Sequence, residues 1–266
     1  HSIFPKRLKC CAHPLKPPEN SCRSFGRCQS PLSAYCVAYV ERTALKYLMR
    51  VYKFYPAKWG LEALSKRRLK VSPIDELNDP FEYLSLDLGN KSVRAWATRF
   101  WRKVSQDIGI ISFSKNWYQP LMWAHYAESH RGLALGFDVP DSLLSKINYV
   151  ENRIKPVSDI DRNSYEMQCL IQKLLTTKHK EWSYEDEYRL VRKLENCVSE
   201  GDKFFATFSE QTVLKEVILG ARYVTSNSCQ LSSDLKSEGV TFQTARAEFK
   251  GFRMTPQRLA KLQKQL

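Results

Sequence analysis

No stretch of this 266-residue sequence approaches the roughly 18 consecutive apolar residues that a membrane helix needs. A soluble chain with no membrane partner is therefore expected. Gly and Pro are sparse, at 10 and 12 residues, which excludes collagen-like and low-complexity chains. No GxGxxG, GxxxxGK[ST] or HExxH motif occurs, which argues against Rossmann, P-loop and zincin readings. No two cysteines have CxxC spacing. The visible start, HSIFPKRLKCC, has no apolar signal-peptide stretch. Acid is also short: 28 Asp+Glu stand against 42 Lys+Arg, for a net charge of +14.

What is present is a globular composition, 43% hydrophobic and 12% aromatic, in a chain long enough to bury a sizeable core. The excess charge sits at the ends. Residues 1–40 carry +5 and residues 250–266 another +5, leaving +4 on the body between them. A basic surface of this kind predicts nucleic acid as a partner, bound through the two terminal segments. Five of the eight cysteines (Cys10, Cys11, Cys22, Cys28 and Cys36) fall in the first segment. With His13 they read either as a small zinc site or as incidental thiols of a flexible extension. The spacing favours the second reading, so no metal is predicted. Reduced thiols imply a cytoplasmic protein.

Three parts are expected: a basic, Cys-rich extension (1–40), one α+β domain (41–249) and a basic C-terminal tail (250–266). Ala44, Leu45, Leu48 and Met49 fit a helical stripe, with a strand after Val51. A short helix around Trp59–Leu64, a strand at Leu69–Val71 and a polar loop from Ser72 to Pro80 follow. Val93, Trp96, Phe100, Trp101 and Val104 recur at helical spacing. Strands are predicted near Gly109–Ser114, Leu133–Phe137, Ile147–Ile154, Asp186–Lys193, Phe204–Phe208, Glu216–Leu219 and Val240–Arg246. Pro120 opens a helix through Ala127. A long helix is predicted over Arg162–His179 and another over Cys229–Lys236. The order implies a mixed, largely antiparallel sheet with flanking helices.

Dense polar and aromatic stretches carry the candidate chemistry. On a strand, Glu185, Glu187 and Arg189 share one face. Two carboxylates and a guanidinium held together split the carboxyl pKa values, and an ionised one can stabilise an oxocarbenium ion. The competing reading is a solvated Glu–Arg pair on a sheet surface. Trp123, His125, Tyr126 and His130 lie on a helix and its exit. His125 suits general acid or base work, and Trp123 or Tyr126 can stack on a ring. Otherwise Met122 and Trp123 are core and the histidines bond locally. Asn78-Asp79-Pro80 is turn chemistry, with Asp79 and Glu82 available to the same cleft as Glu187. Ser112 and Ser114 put both hydroxyls on one side of their strand.

Taken in order, Tyr52-Lys53-Phe54, Asn78 to Glu82, Ser114 with Met122 to Gly132, Lys180 to Arg189, and Val217 to Gly220 resemble a bacterial family known as domain of unknown function 2971. That resemblance spans about residues 45–250 and implies no activity. The order of elements also resembles the ADP-ribosyltransferase superfamily. Its members open with a strand carrying His or Arg, set a Ser or Tyr strand mid-chain and place Glu-x-Glu on a late strand. The counterparts are Tyr52 and Lys53, then Ser112 or Ser114 (or Tyr126), then Glu185-Asp186-Glu187. Lys53 departs from the His or Arg pattern. This second resemblance implies NAD as substrate, Glu187 on the nicotinamide-side ribose and Glu185 at the acceptor. It fits a toxin or phage-defence role.

Overall fold

The computed structural model describes residues 47–77, 79–156, 165–225 and 229–266. The expectations for residues 1–40, for Ala44 and Leu45, and for Asn78 lie outside them. In chain order the elements are β1 (Leu48–Tyr55), α1 (Ala57–Ser65), β2 (Arg68–Pro73), α2 (Lys91–Asp107), β3 (Ile108–Ser114), α3 (Pro120–Tyr126), β4 (Leu133–Pro140), β5 (Leu144–Lys146) and β6 (Asn148–Val150). They continue with α4 (Tyr165–Leu175), β7 (Thr177–His179), β8 (Glu187–Lys193), β9 (Val198–Glu200), β10 (Lys203–Thr207), β11 (Val213–Leu219), α5 (Cys229–Ser237), β12 (Thr241–Ala247) and β13 (Met254–Pro256). Short 3-10 turns join several of these.

Among the described residues, eleven strands form one sheet whose main path runs β13-β12-β11-β4-β1-β3-β2-β10-β9, with β8 and β5 branching from β3. Pairing is antiparallel except between β11 and β12. A separate parallel pair joins β6 to β7. The α+β class and the largely antiparallel sheet are as expected.

β4 (LALGFDVP) is buried along nearly its whole length, because β1 and β11 flank it and both faces are covered. Side chains alternate across the sheet, so each strand feeds two cores. Val51, Tyr55, Ile111, Phe113, Leu135 and Leu190 pack on one face with α1. The opposite face carries two separate clusters. One gathers Ile110 with Trp101, Ile171 and Leu174 of α2 and α4. The other gathers Phe54 and Ala134 with Met122 and Trp123 of α3. On that second face, the residues between these clusters are Ser112, Ser114, Glu187 and Arg189. A polar seam therefore runs between two apolar masses.

Three expected elements differ, the strand expected over Ile147–Ile154 in being cut to Asn148–Val150. Leu48 and Met49 open β1 rather than end a helix, because pairing with β4 extends from Leu48–Pro140 to Tyr55–Leu133. The long helix expected to reach His179 stops at Leu175. The hydroxyls of Thr176 and Thr177 bond back to the carbonyls of Gln172 and Lys173, and Thr177–His179 then pairs with β6. The basic C-terminal tail is stitched to the domain: β13 pairs with β12, Lys264 N donates to Thr244 Oγ1 and Leu266 is buried.

β1 splits from β2 along one edge of β3. Their registers are Tyr52–Ser114 at one end and Ser72–Ile110 with Pro73–Gly109 at the other. The other edge of β3 pairs with β8 along its whole length. The result is a fork open around Ile111–Phe113.

Glu128, Ser129 and His130 all have positive φ (50°, 51° and 70°), a left-handed turn that costs about 1–2 kcal/mol per residue. Gly132 closes this turn against β1, and a Cβ there would lie 2.0 Å from the Tyr55 carbonyl oxygen. Backbone cannot yield as a side chain does. Gly132→Ala should therefore destabilise the protein by about 2–3 kcal/mol, read as a lower urea midpoint. An unchanged midpoint would contradict the packing.

Candidate active site

Each end of the fork contributes side chains to one cavity of about 150 Å³. Tyr52 and Lys53 come from β1, Ser72 from β2, and Ser112 and Ser114 from β3. Tyr126 comes from α3. Beyond them stand Glu82, Lys178, Glu185 and Glu187.

The register of β3 with β8 places Ser114 opposite Glu187 and Ser112 opposite Arg189. Glu82, Lys178, Glu185, Glu187 and Arg189 are each at most 6% exposed. Burying five charges is unfavourable unless they pair closely. Arg189 donates from Nε to Glu187 Oε1 (2.8 Å), from Nη1 to the Leu175 carbonyl (2.8 Å) and from Nη2 to Glu82. Lys178 Nζ meets Glu185 Oε2 at 2.5 Å, Glu82 Oε1 at 2.9 Å and Glu187 Oε2 at 3.3 Å. Its ammonium also lies 4.9 Å from the centre of the Trp182 ring. Tyr126 donates to Glu185 Oε1 at 2.5 Å, and Glu187 N donates to the Tyr149 hydroxyl at 2.8 Å.

The two neighbouring carboxyls are driven apart. Burial opposes ionisation of Glu187, but Arg189, Lys178 and the Ser112 hydroxyl overcome it and hold the group at about 2. Burial also raises Glu185. Lys178 and Tyr126 offset this only in part, and the adjacent Glu187 charge adds to the rise. Opposed shifts of this kind are what a pair working as acid and base would need, and a buried ion-pair network produces them as well. Lys53 Nζ donates to the Ser112 carbonyl at 3.2 Å, and burial pulls its ammonium down to about 8 although Glu187 favours the charge.

Glu185 and Glu187 do not share a strand face by alternation. Glu185 ends the 3-10 turn Lys180–Glu185, and Asp186 adopts a left-handed conformation (φ 43°) before β8 begins. The two carboxylates converge because Lys178 contacts both. Tyr52, Lys53, Glu82, Ser112, Ser114, Tyr126, Glu185 and Glu187 meet at the cavity, with Arg189 behind Glu187. Asp79 is buried, but its Oδ1 accepts from Phe81 N at 2.9 Å, closing the turn that aims Glu82.

His125 is exposed and faces Tyr184 at 6.0 Å, away from the cavity. Trp123 is fully buried, donates to the Trp117 carbonyl at 2.7 Å and packs edge-on to Phe54. His130 stacks on Trp123, and burial and Arg222 lower its pKa. None of these three lines the cavity. Lys178 and Tyr149 are the site residues that sequence reasoning missed. Lys180, the lysine that carried the motif resemblance, is instead an exposed partner of Glu151. Among the described residues no group of three or more His, Cys, Asp and Glu is placed to hold a metal ion.

Fold and site together define an α+β protein with a buried, cation-braced carboxylate pair at a strand fork. The model of a family described as "Protein of unknown function (DUF2971)" matches residues 122–190, from α3 into β8. That stretch contains Tyr126, Tyr149, Lys178, Glu185, Glu187 and Arg189, and it is narrower than the 45–250 span of the motif resemblance. No curated protein and no solved structure matches the chain.

A folded-state pKa below the ordinary Glu value contributes stability at neutral pH, and that contribution disappears as pH falls through the folded value. For Glu187 the window runs from about 4.3 down to about 2. Glu185, raised, has the opposite sign and loses its contribution as pH rises. Glu187→Gln should therefore be less stable than wild type at pH 7. It should also lack the part of the acid-induced loss, up to about 3 kcal/mol, that wild type shows in that window. Urea titrations between about pH 2.5 and pH 7 check this; parallel curves for the two proteins would refute it.

Proposed function

We propose that the cavity binds the nicotinamide–ribose end of NAD and cleaves its N-glycosidic bond. ADP-ribose then passes to an acceptor nucleophile or to water. The observation that carries this reading is Glu187, an ionised carboxylate lining a strand-fork cavity beside a second carboxyl of raised pKa. Glu82, Glu185 and Glu187 against Lys178 and Arg189 give the fully ionised cluster a charge of −1, which Lys53 at the same cavity balances until it loses its proton at about 8. The attraction for a pyridinium ring and for the ribosyl cation that follows is therefore local, to the Glu187 and Glu185 carboxylates.

In the reaction the C1′–N bond breaks and its electron pair leaves with neutral nicotinamide. Glu187 stabilises the developing oxocarbenium ion by proximity, in a site where low polarisability strengthens the attraction. The incoming nucleophile attacks C1′ and gives its proton to Glu185, whose raised pKa suits it to receive one. Tyr126 and Lys178 fix the Glu185 carboxyl for that transfer. Ser112 and Arg189 fix Glu187. The cavity volume lies below the roughly 300–1,000 Å³ of pockets that enclose drug-sized ligands. A cavity of this size would take the reacting end alone and leave the adenylate half outside it.

The purified protein should release nicotinamide from NAD, measured by chromatography with and without offered protein and nucleic-acid acceptors. Glu187→Gln should lower the rate by about 100-fold or more. Tyr126→Phe, a milder change, should keep the fold and alter the pH profile of kcat by removing a donor from Glu185. Equal release by wild type and Glu187→Gln, or no release with any acceptor, would remove the proposal.

A further inference from the structure

The β12–β13 hairpin leaves two aromatic rings in water at the end of a packed stem. Ala245 and Met254 of the stem are 1% and 3% exposed, whereas Phe249 and Phe252 of the tip are 91% and 104% exposed. The tip is held in place: Glu248 N donates to the Arg253 carbonyl at 3.0 Å, and Arg253 grips Glu248 through two bonds of 2.7 and 3.0 Å. Phe249-Lys250-Gly251-Phe252 is thus a presented loop. The Arg246 guanidinium lies 4.4 Å from the centre of the Phe249 ring.

The C-terminal segment that carries the loop is strongly basic. Residues 246–266 hold Arg246, Lys250, Arg253, Arg258, Lys261 and Lys264 against the single acid Glu248. Lys250, Arg258 and Lys261 are exposed. The hairpin also adjoins the cavity. Met254 N donates to the Tyr118 carbonyl at 2.7 Å, and Met254 packs in one cluster with Met122 and Tyr126, which line the cavity.

We infer that this hairpin is a docking surface for single-stranded nucleic acid, with bases stacking on Phe249 and Phe252 and phosphates on Arg246 and Lys250 at the tip and on the cations that follow the stem. Stacking needs an unpaired base, since its π-face is covered in a duplex, and it tolerates any sequence. Cations supply the backbone attraction and make it salt-dependent. The basic C-terminal segment expected to touch phosphates thereby gains a defined geometry and a preference for unpaired strands. Binding needs no NAD, so its failure leaves the glycosidic reading standing.

The test is fluorescence anisotropy with the full chain and a labelled oligonucleotide of about 12 nucleotides, single-stranded or annealed to its complement, at about 50 and 200 mM salt. The single strand should bind more tightly than the duplex, and binding should weaken with salt. Phe249→Ala with Phe252→Ala should lower single-strand affinity by about tenfold or more with the salt slope kept. Lys250→Ala with Lys261→Ala should flatten the slope. Residues 1–40 bring their own +5, so the comparison of variants with wild type decides the outcome. Unchanged single-strand affinity in the double Phe variant would overturn the inference. So would Phe-dependent binding to phosphatidylserine vesicles without any Phe-dependent binding of the oligonucleotide.

Discussion

Lys178 and Arg189 stand between three glutamates that reach them from separate parts of the chain. Glu82 arrives on the loop after β2, Glu185 at the end of a 3-10 turn and Glu187 on β8. Removing five charges from water costs several kcal/mol per ion unless each finds partners of good geometry. Here every one does. The loop, β7, the turn and β8 are consequently tied to one another by an electrostatic requirement as well as by apolar packing. Loss of either cation would leave carboxylates buried and uncompensated, which typically costs about 3–5 kcal/mol. The two apolar clusters on this face of the sheet leave the seam between them to these groups.

The same arrangement sets the protonation of the carboxyl pair. Arg189 is committed to Glu187 and Glu82, while Lys178 is shared among three carboxylates. Glu187 therefore keeps its charge and Glu185 holds a proton more readily, although they are two residues apart. The left-handed Asp186 between them makes this possible, because it turns Glu185 out of the strand and toward Tyr126. A regular strand through all three residues would have given the two carboxyls more nearly equal surroundings. The fork in the sheet then supplies access, since neither β1 nor β2 covers the middle of β3.

Much of the frame was legible in the residues, for reasons that differ along the chain. β4 and β3 announce themselves as short apolar runs, and α2 by its repeating aromatic stripe. Ser112, Ser114, Glu187 and Arg189 were legible as a face because alternation survives in paired strands. Lys178 was hidden because an apolar pattern ran helically into it. Two adjacent threonines that bond back to the preceding turn were the available sign that the helix ends before it. His125 misled in the opposite way: a short helix near the site displays its polar end to solvent, while the indole of Trp123 takes the core position that was the alternative to stacking on a ligand. Tyr149 contributes through a hydroxyl that accepts a backbone bond, and neither spacing nor composition encodes such a contact.

Carboxyl carbon NMR on protein selectively labelled at glutamate, titrated over pH and assigned with Glu185→Gln and Glu187→Gln, tests the central claim most directly. The account predicts that the Glu187 signal moves near pH 2 and that the Glu185 signal moves above the ordinary glutamate range. Titration of both near about 4.3, the value of an unperturbed glutamate, would contradict it.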